Sequence, residues 1–107
     1  MSTPASDLRC YLAEWYRPEL TAEGFAHAVS ILDDCVASVC AAGSPVQLMM
    51  TLAVPDDDVV FGVFAAGSEQ VVARVCAQAG IPAQRLSLAF DARATHKPWA
   101  NTWGKVC

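Results

Sequence analysis

Glu14 interrupts an otherwise apolar stretch, LRCYLAEWY (Leu8 to Tyr16). A carboxylate in that setting must be paired, hydrogen-bonded or at a rim; otherwise it can hold a ligand or handle a proton. Tyr11, Trp15 and Tyr16 stand beside it and could line a cavity, although core packing is the commoner use of such rings. Tyr11 and Glu14 are therefore the candidate ligand-binding residues. Cys10, His27 and His96 are the candidate metal ligands, because thiolate and imidazole suit soft and borderline ions. The ordinary alternative for His27 is an exposed or hydrogen-bonded place off the apolar stripe of a helix, and His96 is equally ambiguous. No Cys-x-x-Cys, His-x-x-x-His or Glu-x-x-His pair occurs, so no closed zinc site can be read. The glycines of GVFAAGS lie between a strand and a helix without the spacing of a dinucleotide or P-loop fingerprint. No nucleophile–base pair or paired-acid constellation is legible, so no catalytic residue is assigned.

The elements that must position these groups are well punctuated. Val59 to Ala65 is a Val- and Phe-rich run that favours a buried strand. Ser68 is placed to cap a helix, with Glu69 in its first turn. Val71, Val72, Val75, Cys76 and Ala79 then form one apolar helical stripe. Gly80 suits the left-handed residue after the helix, and Pro82 stops it. Leu86, Leu88 and Phe90 alternate with Ser87, Ala89 and Asp91, which is strand periodicity.

The first half repeats this plan. Leu8 to Tyr16 reads as a strand with large apolar groups on both faces, ended by Arg17-Pro18-Glu19. Thr21 is an N-cap with Glu23 following, and Phe25, Val29, Leu32, Val36 and Val39 mark a helix running to Ala42, closed by Gly43 and Pro45. Val46 to Val54 is a second strand. Pro55 and Asp56 to Asp58 turn it back into the third, so that pair is antiparallel. The acidic run reads as a solvated turn, because it lacks the alternating ligands and turn glycine of a calcium loop.

The order βαββαβ predicts an α+β, ferredoxin-like fold: a four-stranded antiparallel sheet with two helices on one face. The domain is expected over residues 8–92, with a frayed N-terminus over 1–7 and a C-terminal arm over 93–107. One sheet face has no helix. The strands are apolar there too, so a second subunit or the arm, which carries Trp99 and Trp103, is expected to cover it.

Composition narrows the function classes. The 107 residues are 54% hydrophobic and 17% charged, the opposite of a disordered chain. A net charge of −4 argues against nucleic acid and against a basic membrane-surface helix. No apolar run reaches the roughly 18 residues of a membrane span, and the N-terminus lacks a signal-peptide pattern, so a cytoplasmic protein is expected. Five cysteines, an odd number, predict reduced thiols, with Cys35 and Cys76 as small core residues.

The segment VFGVFAAGSEQVVARVCAQAGIPAQRLSLAFDA, with its Gly80, Pro82, Arg85 turn, resembles the second half of the small bacterial nickel-binding, SCO4226-like (DUF4242) group. The first half is similar as well: an acidic residue within YLAEWY, a Pro-containing break, and Thr21-Ala22-Glu23 opening a long helix. The likeness covers roughly Leu8 to Ala92. It implies a ferredoxin-like homodimer and, in some members, a bound nickel ion. This chain departs in its second strand, VQLMMTLAV, which has no histidine or cysteine. The expectation is a homodimer joined through the sheet face that binds a small ligand or a metal ion without catalysis. A cofactor-free α+β-barrel enzyme of the monooxygenase or isomerase type, using Glu14, Tyr11, His27 and Cys10, and a structural or regulatory interaction module are the alternatives.

Overall fold

In the computed structural model, residues 8–90 are described; the expected N-terminal and C-terminal extensions, with His96, Trp99 and Trp103, lie outside them. The elements are β1 (Arg9–Tyr16), α1 (Ala22–Ala41), β2 (Val46–Val54), β3 (Val59–Ala66), α2 (Glu69–Gln78) and β4 (Arg85–Ala89). They form one antiparallel sheet in the order β2-β3-β1-β4. This is the α+β, ferredoxin-like arrangement expected from the sequence.

Local chemistry sets the helix ends. The Thr21 hydroxyl accepts from the Gly24 N–H at 2.9 Å, and the Ser68 hydroxyl accepts from the Val71 N–H at 3.4 Å. Gly43 and Gly80 follow their helices at φ 107° and 78°, a conformation in which a side chain would crowd the backbone. Both helices lie on one sheet face. There Leu32 and Val39 of α1 and Val72, Val75 and Cys76 of α2 pack on Tyr11, Ala13, Trp15 and Phe64. Gly62 leaves room for the Trp15 ring: a Cβ at that position would come within 3.0 Å of it.

The β4 end is tied to β1 by three bonds. The Trp15 Nε1–H donates to the Ile81 carbonyl at 2.6 Å, the Gln84 N–H donates to the Glu14 carbonyl at 2.9 Å, and the Tyr16 N–H donates to Gln84 Oε1.

Three features go beyond the sequence reading. First, β2, whose limits are those expected, does not alternate throughout. Leu48 pairs with Phe64 but Met50 pairs with Val63, so Met49 is an extra residue at a β-bulge. A bulge reverses the side-chain parity of everything after it. Second, the twenty residues of α1 are long and apolar enough, by length and composition, to cross a membrane. The sequence hid this because Asp33 and Asp34 interrupt the apolar run. In the fold, Leu32 and Val39 of this helix are buried against the sheet. Third, correcting the expectation of reduced thiols throughout, Cys40 is disulfide-bonded, whereas Cys35 and Cys76 are free thiols. A disulfide depends on Cα atoms brought within about 7 Å, which residue counting cannot show.

Candidate functional site

Two surfaces are candidates: the sheet face without helices, and a cleft at the start of α1. The register assigns the open face. Cys10, Leu12, Glu14 and Tyr16 of β1 stand opposite Ala65, Val63, Phe61 and Val59 of β3. On the outer side, the bulge brings Met50, Leu52 and Val54 of β2 onto the same face. Tyr16, Met50 and Leu52 are 56%, 52% and 53% exposed, high values for large apolar groups on the two strands that flank β3. At one end Leu8 and Ala65 are buried, with Cys10 and Met49 packed against them.

Glu14 lies on this open face, and its carboxylate is 3.6 Å from the Arg85 guanidinium. The two residues are direct cross-strand partners. Arg85 is largely exposed, so the pair contributes little to stability and forms a polar rim to the apolar patch.

The sequence-predicted candidates do not converge. Tyr11 belongs to the core on the helix side, while Glu14 faces the other way. Cys10 and Glu14 share the open face, but four residues along one strand separates them by about 13 Å, too far to hold one ion. His27 is exposed on α1, which packs on the opposite side of the sheet. Among the described residues no group of three His, Cys, Asp or Glu side chains could hold a metal ion. The described residues of one chain therefore do not fit a nickel centre. Cys35 and Cys76 are both in or against the core, as expected. Burial pushes the Cys76 thiol up to about 11, and the neighbouring Cys35 adds to the rise.

The cleft was not legible as a site. It has a volume of about 300 Å³ between the β1–α1 connection and the β2–β3 turn. Arg17, Glu19 and Asp58 line it together with Leu20, Phe25, Val54 and Val60. In the sequence its polar residues read only as a strand break and a solvated turn. Forty residues separate them, and their meeting depends on the β1–β3 pairing. The Arg17 N–H donates to the Asp58 carbonyl at 2.7 Å, which fixes that meeting.

No protein-family model matches the chain, and no curated protein matches it. Among solved structures, it is similar to the crystal structure of SCO4226 from Streptomyces coelicolor A3(2). The TM-score is 0.68 at 15% identity, over 78% of this chain and 99% of that one. At that identity the likeness shows the fold.

Proposed function

We propose that this protein works as a homodimer in which two open sheet faces pack together, and that its role is binding rather than catalysis. The observation that carries the reading is the exposed apolar patch formed by Tyr16, Met50 and Leu52 on a face that neither helix covers. Monomeric proteins rarely leave such a patch in water. Four strands about 4.8 Å apart and about eight residues long give a footprint of roughly 500 Å² before side-chain relief is counted. A specific interface buries roughly 600–1,000 Å² per partner, so nearly the whole face must be engaged. A two-fold pairing asks only for one self-complementary patch, which an apolar centre with a Glu14–Arg85 rim provides.

The resemblance to the nickel-binding group supports the homodimer. A nickel ion would have to draw ligands from more than the described residues of one chain. Sedimentation velocity over a wide concentration range tests the dimer: a concentration-dependent shift from one to two chain masses is expected, and a single-chain mass at every concentration refutes it.

A further inference from the structure

The cleft at the start of α1 lies at the end of the sheet, between the β1–α1 connection and the β2–β3 turn, and reaches the margin of the open face at Val54 and Val59. Its walls carry both signs of charge above an apolar floor. Arg17 supplies the cation, and Glu19 and Asp58 supply the carboxylates. Among the described residues no ion pair joins Arg17 to either acid. Opposite charges that share a cleft without pairing are matched by a molecule that itself carries both.

The floor is made by Leu20, Phe25, Val54 and Val60. Arg17, Leu20, Phe25 and Val60 also line a much smaller cavity that continues under α1 beside Trp15 and Ile81. The apolar end of a ligand would therefore meet the margin of the core. A volume of about 300 Å³ is at the lower limit of ligand sites, which suits an amino-acid-sized molecule.

Backbone conformation marks the same place. The two non-glycine residues with positive φ among those described are Glu19 at 60° and Asp58 at 55°, and both line the cleft. Aspartate tolerates that conformation in turns; glutamate does so less readily. Such outliers concentrate where a surface holds a ligand.

We infer that this cleft binds a small zwitterion with an apolar side chain, an α-amino acid of the leucine class. Arg17 receives its carboxylate, Glu19 and Asp58 receive its ammonium group, and Leu20 and Phe25 receive its side chain. A simple carboxylic acid would face two carboxylates, and a simple amine would face the guanidinium, so each half of the ligand alone is disfavoured.

Isothermal titration calorimetry of the full chain tests this with L-leucine as probe. Leucinamide lacks the carboxylate, 4-methylpentanoate lacks the ammonium group, and glycine lacks the side chain. Saturable binding of L-leucine is expected, and each comparator should bind at least about 10-fold more weakly, the scale of one lost charged contact. Arg17→Gln should weaken L-leucine to the same extent while leaving the fold, followed by circular dichroism, intact. Amide shifts at Ala22 and Asp58 on adding L-leucine would place the ligand in the cleft. No saturable binding at millimolar L-leucine overturns the inference. Equal binding of L-leucine and leucinamide also overturns it, and this holds even if the variant fails to fold.

Discussion

Leu52→Asp is the substitution that isolates the open face. Leu52 is 53% exposed within a single chain, so about half of its burial remains to be gained on association. Complete burial of a leucine side chain is worth about 1.5–3 kcal/mol, which leaves about 0.8–1.5 kcal/mol per copy. A two-fold interface uses the residue twice, giving about 1.5–3 kcal/mol in all. That is roughly a 10- to 150-fold change in dimer dissociation constant. An aspartate adds the cost of desolvating two carboxylates with no partner, so the observed weakening should meet or exceed the upper figure. The monomer should stay folded, because the position faces water there. Sedimentation velocity supplies the dissociation constant, and circular dichroism reports the fold. Ala73→Asp, at an exposed position on α2, is the control and should leave association unchanged. If Leu52→Asp associates as tightly as the unaltered protein, the open face is not the interface. Equal weakening by Ala73→Asp would mean that added charge, rather than position, is responsible.

Two further outcomes follow from the core. The Cys76 thiol ionises near 11 in the folded protein against an ordinary value of 9.0, because burial disfavours the thiolate. Between those pH values the unfolded chain releases a proton that the folded chain retains, so this contribution to stability is complete below pH 9 and is lost as pH rises toward 11. Urea midpoints measured across that window should fall with pH, and the fall should be shallower in Cys76→Ala; a slope unchanged by the substitution would assign it to other groups. Gly62→Ala places a Cβ 3.0 Å and 3.1 Å from two Trp15 ring carbons and 3.3 Å from Phe64. Overpacking of this kind costs about 1–3 kcal/mol, so the urea midpoint should drop, and an unchanged midpoint would show that the Trp15 ring can yield.

Much of the architecture was legible in the chain because its signals are local. Thr21 and Ser68 cap their helices, Gly43 and Gly80 close them, and the limits of β2 coincide with those read from VQLMMTLAV. Caps, left-handed closures and proline stops act within one turn of backbone, so neighbouring residues suffice to reveal them. The βαββαβ order then restricts the strand arrangement, and the observed β2-β3-β1-β4 sheet follows from it.

The candidate sites were hidden because they depend on register and on residues distant in sequence. Alternation alone places Met50 and Leu52 with Val46 and Leu48 on the core side. The bulge at Met49 moves them to the open face, and only the pairing with β3 reveals it. Tyr11 and Glu14 looked like neighbours, yet the pleat turns an i, i+3 pair on a strand to opposite faces. Arg17 and Asp58 looked unrelated, yet a backbone hydrogen bond just beyond the paired ends of β1 and β3 holds them at one cleft. The sequence by itself determined which segments are helix and which are strand, since those choices are made by short-range sterics and hydrogen bonding. Only the tertiary structure decided which face each side chain occupies and which distant charges meet, because those depend on how strands pair across the sheet.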